Sequence, residues 1–328
     1  VCLYLLYSDK SHFEFKGING FTEDQFISSE LSWDKLLEIE ADYKQKRDEL
    51  RHILDSFMTL FIKEKETENG LHSFGGRTKD AEHLIAKIVR KRIDDPSRKE
   101  GVNFSKYETI DVNNYEYIIT DLIGIRGLLL FREDWIKFHD FIESNFNEYT
   151  KLCDKAENDN KYILNKDDFE AAPLQCMLEY PKVYLREGDS VAIYSQKLPR
   201  ERIKDEKYYR SVHYILKYQN HIIEVQIRTL FDEGWGEVDH FILYPNKTDN
   251  PLLTEYSEMM TRLTGMADEM ASFFLRVQNI NLQGFVQRPK VDKEWKKSIQ
   301  NTSALNKHGT SQQVELDCQE ILKNSLEQ

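Results

Sequence analysis

The 328-residue sequence holds no apolar run long enough to cross a membrane and no C-x-x-C pair. The opening, VCLYLLYSDK, has neither a basic leader nor a small-residue cleavage site, so it reads as a first strand or helix edge rather than a signal peptide. Four cysteines (Cys2, Cys153, Cys176, Cys318) are widely scattered, which argues against a zinc cluster and fits the reduced thiols of a cytoplasm. There is no internal repeat and no low-complexity tract. Positive charge is also short: a net charge of −12 works against a broad nucleic-acid groove, because phosphate binding needs a basic surface that releases counterions. A local basic pocket remains open to such a chain.

What is present is a globular balance, 40% hydrophobic and 31% charged, with enough chain for one large domain or a domain with sizeable extensions. Basic residues concentrate in GGRTKDAEHLIAKIVRKR, residues 75–92. Apolar residues recurring near a period of 3.6 predict a helix over 31–66, ending near Asn69 and Gly70, and a second over 79–93 stopped by DDP. In that second helix Lys79, His83 and Lys87 fall four apart and are expected on one polar face. After a polar loop over 94–113, a short helix or turn leads into a buried strand, Ile125 to Phe131, backed by a helix over 133–146. Residues 147–180 carry no clear pattern, while PKVYLRE and SVAIY read as short strands. A hairpin turning at QNH follows, then a helix from Thr229 to about Leu243, an amphipathic helix over 252–278 and a terminal helix over about 311–325. The 252–278 helix carries Met259, Met260, Leu263, Met266 and Met270, a stripe expected to pack in the core. Trp235 is likewise expected in the core, and His240 packing the helix or supporting a site from behind.

The hairpin carries the chemistry. In IIEVQIR, residues 222–228, Ile223, Val225 and Ile227 point to one side and Glu224, Gln226 and Arg228 to the other. On the partner strand Tyr209, Ser211 and His213 share a face, opposite Val212, Tyr214 and Leu216. A hairpin sets the two polar faces side by side. A solvated strand face rarely combines tyrosine, serine, histidine, glutamate, glutamine and arginine.

With these segments in order, the chain resembles the RelA/SpoT-type (p)ppGpp synthetases, in particular the small alarmone synthetases, over roughly residues 75–245. GRTKDAEHLIAKIVRK resembles the family's ATP-binding segment and TDLIGIRGLLLF its metal- and adenine-binding segment. YYRSVH resembles the guanine-binding loop, and EVQIRTLFDEGWGEVDH the catalytic strand and its helix. The resemblance implies an α+β fold, a nucleotidyltransferase-like mixed β-sheet flanked by helices, with helical extensions over 1–74 and 246–328. It also implies a cytoplasmic, Mg²⁺-dependent transfer of pyrophosphate from ATP to the 3′-hydroxyl of GDP or GTP, releasing AMP.

Carried over residue by residue, the resemblance puts Arg77 and Arg126 around the adenine and Lys79 and Lys87 on the phosphates, with His83 beside them where the family has serine. Asp121 would bind Mg²⁺, and Glu224 would be a second metal ligand or the general base. Tyr209 would stack on the acceptor base, Ser211 and His213 would lie near its phosphates or ribose, and Gln226 and Arg228 would support them. Relatives that use the same donor on adenine nucleotides or on the tRNA 3′ end keep those acceptors open, and an inactive fold serving as a binding module is the third reading. A tRNA would need a basic surface, for which KLPRERIKDEKYYR, residues 197–210, is the candidate. His139 and Asp140 form an isolated HD pair with no earlier histidine motif, so synthesis without hydrolysis is expected, and no ribosome-dependent control. Partners beyond the nucleotides would be a second copy of the chain or an antitoxin, with no membrane.

Overall fold

The computed structural model describes residues 15, 19–65, 69–94, 107–147, 153, 164–206, 209–243 and 251–284. The chain divides into two units, Val1–Phe274 and Leu275–Gln328; the described residues of the second, 275–284, are helical. The expectations for VCLYLLYSDK and for the helix over 311–325 lie outside the described residues.

Six strands form one mixed sheet: β1 (Ser73–Thr78), β2 (Ile123–Leu129), β3 (Gln175–Arg186), β4 (Ile203–Glu206), β5 (Ser211–Tyr218) and β6 (His221–Thr229), in the order β1-β2-β6-β5-β3-β4. β2 runs parallel to β6 and β3 to β4, and the other pairs are antiparallel. The helices among the described residues are α1 (Glu23–Ser29), α2 (Trp33–Lys65), α3 (Ala81–Ile93), α4 (Tyr115–Ile118), α5 (Trp135–Asn145), α6 (Lys166–Ala171), α7 (Leu230–Leu243) and α8 (Pro251–Gly284). The expected α+β class and mixed sheet are therefore present.

Strand alternation divides the sheet into two faces. Ile123, Ile125 and Leu129 of β2, Val212, Tyr214 and Leu216 of β5, and Ile223, Val225 and Ile227 of β6 are buried on one of them. Helix α2 contributes Leu36, Ile39, Tyr43, Leu54 and Phe57 to the same core at helical spacing, and α5 adds Trp135, Phe138 and Ile142. Burying each such side chain is worth about 1.5–3 kcal/mol before entropy is counted. His139 belongs to this core: its Nδ1 lies 3.1 Å from the Tyr214 hydroxyl and its ring stacks on Trp135.

Several expectations are corrected. Lys79 precedes α3 rather than lying on it, because Asp80 caps the helix by accepting from the Glu82 and His83 amides. SVAIY is not a strand: Tyr194 and Ser195 donate backbone bonds to Val191 O, and a 3₁₀ turn over Tyr194–Gln196 buries the tyrosine. The buried strand of TDLIGIRGLLLF runs from Ile123 to Leu129, and β3 begins at Gln175, within the stretch that carried no pattern. The methionine stripe of α8 is not core. Leu263 and Met266 are 52% and 60% exposed, whereas Asp268 on the opposite side is 1% exposed.

Candidate active site

The second face of the sheet is polar at its β1–β2–β6–β5 end. Cross-strand register puts Arg77 of β1, Gly124 of β2 and Glu224 of β6 in one row, and Gly75, Arg126, Gln226 and His213 in the next. Each arginine thus stands opposite a glycine. A Cβ at Gly75 would meet nothing within 4 Å, and one at Gly124 only the Arg77 carbonyl at 4.0 Å, so the floor between the arginines is bare. Here lies a cleft of about 240 Å³ lined by Arg77, Asp121, Gly124, Arg126, Glu224 and Gln226.

Asp121 sits at the turn into β2 and meets two lysines, Lys79 Nζ at 2.8 Å and Lys87 Nζ at 2.9 Å. Lys79 is held in place by its backbone, which donates to Leu122 O and accepts from the Tyr43 hydroxyl at 2.6 Å. Burial pushes the Asp121 carboxyl up, but the charges of Lys87 and Lys79 outweigh it and hold it below its ordinary range. One carboxylate shared by two ammonium groups offsets burial less well on the lysine side, and burial carries Lys79 below its ordinary 10.5. Asp121 Oδ1 is buried against the Lys87 ammonium and Oδ2 faces Lys79.

Glu224 is the second carboxylate of the cleft. Burial raises its pKa, and the His213 contact, through hydrogen bond and charge, more than reverses this and leaves it below 4.5. His213 Nδ1 lies 3.4 Å from Glu224 Oε1, and Gln226 Nε2 donates to Glu224 Oε2 at 3.1 Å. The other ring nitrogen of His213 lies 2.8 Å from the Tyr209 hydroxyl, which accepts from Arg228 Nη2 at 2.7 Å. Arg228 donates to Tyr209 and His213 Nδ1 faces Glu224; between them Tyr209 donates to His213 Nε2 when the imidazole is neutral and accepts from it when the imidazole is protonated. The Arg228 guanidinium lies over the Tyr209 ring, 4.7 Å from its centroid. A second cleft, about 250 Å³, opens beside this chain and is lined by Arg126, Tyr209, Arg228, Trp235, Glu237 and His240.

A family model described as "Region found in RelA / SpoT proteins" matches residues 76–249. The chain belongs to the RelA/SpoT family. Solved structures similar to it include smu.1046c from Streptococcus mutans UA159 (16% identity, 74% of this chain and 97% of that one, TM-score 0.42). Small alarmone synthetase 1 from Bacillus subtilis bound to its product pppGpp is 17% identical over 73% of this chain and 95% of that one, with a TM-score of 0.40. A GTP pyrophosphokinase family protein from Streptococcus pneumoniae is 16% identical over 79% and 99%, with a TM-score of 0.38. No curated protein sequence matches the chain.

Within this RelA/SpoT domain, ten of the twelve expected site residues meet at the two clefts: Arg77, Asp121, Arg126, Glu224 and Gln226 line the first, Tyr209, Arg126 and Arg228 the second, and Lys79, Lys87 and His213 contact members of these sets. His83 stands apart, exposed on the first turn of α3. Ser211 is also apart: it is buried and its Oγ donates to Ile227 O at 3.3 Å. Two acids were missed in the sequence reading. Glu233 and Glu237 of α7 both accept from Arg126 Nη1 at 2.5 Å, and Glu233 also meets Arg228 Nη1 at 3.3 Å. Their four-residue spacing on the helix after a strand rich in polar residues was the available signal.

Proposed function

We propose that this protein transfers the β,γ-pyrophosphate of ATP to the ribose 3′-hydroxyl of GDP or GTP and releases AMP. The observation that carries this reading is the pairing of two ionised carboxylates, Asp121 and Glu224, in one cleft with Lys79, Lys87, Arg77 and Arg126 around it. A polyphosphate donor needs that concentration of cations, and phosphoryl chemistry is catalysed mostly by positioning and charge stabilisation.

Arg77 and Arg126 would take the adenine between them over the bare glycine floor, while Lys79 and Lys87 turn from Asp121 to the phosphates. The 3′-oxygen attacks the β-phosphorus, the bond from that phosphorus to the α–β bridging oxygen breaks, and AMP leaves with the bridging oxygen. The hydroxyl proton passes toward Glu224, whose orientation is fixed by His213 and Gln226. Tyr209 and Arg228 would hold the acceptor in the second cleft. The donor set suits Mg²⁺: Asp121 and Glu224 bring two carboxylates into one cleft, with donor phosphates to complete an oxygen shell. Bound there, the ion would neutralise charge developing on the phosphate oxygens.

Four of the basic residues of the candidate tRNA surface carry contacts or burial that favour a nucleotide acceptor instead. Lys197 pairs with Asp140 at 2.7 Å, Arg200 with Asp205 at 2.8 Å, and Arg202 and Arg210 are buried. Among the described residues no helix is long and apolar enough to cross a membrane. The test is to incubate the protein with γ-labelled ATP, Mg²⁺ and, separately, GDP, GTP, ADP or deacylated tRNA, with Glu224→Ala alongside. Label on a guanine nucleotide that disappears in the variant supports the reading. Label on tRNA or an adenine nucleotide alone, or on nothing, overturns it.

A further inference from the structure

Helix α8 shows its apolar side to solvent and its polar side to the domain. Tyr256, Met259, Leu263, Met266, Met270 and Phe273 are all exposed, and they recur at alternating intervals of three and four residues. That spacing is the a/d seam of a coiled coil, and Leu252 begins it one step earlier. The opposite side is fixed. Trp235 Nε1 donates to Thr261 Oγ1 at 3.0 Å, Ser257 Oγ to Asp239 at 2.8 Å and Ser272 Oγ to Glu133 at 3.0 Å, while Asp268 is ion-paired to Arg210. These bonds prevent the helix from rolling its apolar seam inward. A contiguous exposed seam of this kind marks an interaction site.

The flanking residues identify the occupant. Along one edge of the seam, at the g positions, stand Glu255, Arg262 and Glu269, all exposed, and the sequence continues the alternation at Arg276. Along the other edge, at e, stand Leu253, Met260, Ala267 and Phe274. In a parallel pair g residues face e residues, so every charge would meet an apolar side chain. In an antiparallel pair with a layers facing d layers, g faces g: Arg262 meets the partner's Glu269 and Glu269 meets the partner's Arg262, while the apolar edges meet each other. Every charge is then opposite its complement.

We propose that two copies of this chain pair through α8, antiparallel, about a two-fold axis near Gly265. The same patch on both copies closes the interface, as an isologous contact requires. Arg262, itself exposed, already reaches along its own helix to the half-buried Glu258 at 3.6 Å, a contact that a facing glutamate can displace. The pairing is independent of the reaction proposed above.

The test is sedimentation velocity of the full chain over a dilution series, with circular dichroism to show that each variant is folded. The expected species has the mass of two 38.9 kDa chains and dissociates on dilution. Met266→Glu, at a seam position 60% exposed, is expected to leave monomer. Arg262→Glu and Glu269→Arg each turn two attractive contacts into repulsive ones and are expected to raise the dissociation constant about tenfold or more. The double variant Arg262→Glu/Glu269→Arg restores the pairing, which a merely structural effect of either change would not do. A chain that stays monomeric at every concentration, a dimer that survives Met266→Glu, or a double variant no better than the singles would each overturn the proposal.

Discussion

Replacing Asp268 by asparagine removes one carboxylate from a buried cluster that ties α8 to the strand beginning beside Tyr209. Arg210 donates from Nε to Asp232 at 2.7 Å, from Nη1 to Asp189 at 3.3 Å and from Nη2 to Asp268. Arg186 shares Asp232, and Arg132 Nε lies 3.9 Å from Asp268. Arg210, Asp232 and Asp268 are nearly inaccessible to water, so solvent cannot replace the lost charge. Breaking a buried pair from one side costs about 3–5 kcal/mol. Two other carboxylates stay on Arg210, which puts Asp268→Asn at the low end, about 3 kcal/mol. At about 2–4 °C per kcal/mol for a domain of this size, the midpoint of thermal unfolding should fall by about 6–12 °C. Because Tyr209 adjoins Arg210, the acceptor KM should rise more than the ATP KM. Scanning calorimetry with steady-state kinetics checks both. A midpoint within about 2 °C of the wild type would refute the argument that this cluster anchors the helix.

Four further outcomes are expected. Glu224 and Asp121 both titrate below their ordinary values in the folded protein, so their stabilisation is present above the ordinary carboxylate range and is lost as pH falls through the folded values. Urea unfolding against pH should therefore show a shallower acid decline for Glu224→Gln than for the wild type, and equal declines would contradict this. Lys87→Met should lower kcat/KM for ATP by about 10²–10³-fold, as loss of one charge-stabilising donor does, and a change under about threefold would remove it from the site. Gly75→Val should keep the fold and block ATP binding, whereas Gly76→Val should lose about 1–3 kcal/mol of stability, since its Cβ would lie 2.5 Å from Leu54 Cδ1 and 2.8 Å from Ile125 Cδ1. Chelation of divalent cations should abolish turnover without moving the thermal midpoint; unchanged turnover would count against Mg²⁺.

The hairpin and α2 were legible because period and chemistry agree there: alternating isoleucines opposite Glu224, Gln226 and Arg228 leave one assignment, and the seam of α2 repeats at helical spacing. β1 was not legible. Gly75 and Gly76 leave it no apolar alternation, yet Gly76 is required where Leu54 and Ile125 close over the strand, and Gly75 opens the cleft. PKVYLRE was legible as the second half of β3, whereas the first half was hidden ahead of Glu179 and Lys182, which pair with each other at 2.7 Å where the strand slips register against β5. The orientation of α8 could not come from periodicity, which shows that a helix has two faces but not which one meets the domain. Asp268 decided it, through arginines far away in the sequence. Ten of the expected residues do meet at the clefts and His83 and Ser211 do not, whereas the hydrogen-bonded chain from Arg228 through Tyr209 and His213 to Glu224, and the hold of Glu233 and Glu237 on Arg126, needed the register of β2, β5 and β6 with α7.

The most direct measurement of the central claim is product analysis by phosphorus NMR and mass spectrometry after incubation with ATP, GDP and Mg²⁺. The account predicts one AMP for each guanosine nucleotide that gains an intact pyrophosphate at its 3′-oxygen, and neither product with Glu224→Ala. Formation of ADP, transfer of a single phosphoryl group, or unchanged product with Glu224→Ala would contradict it.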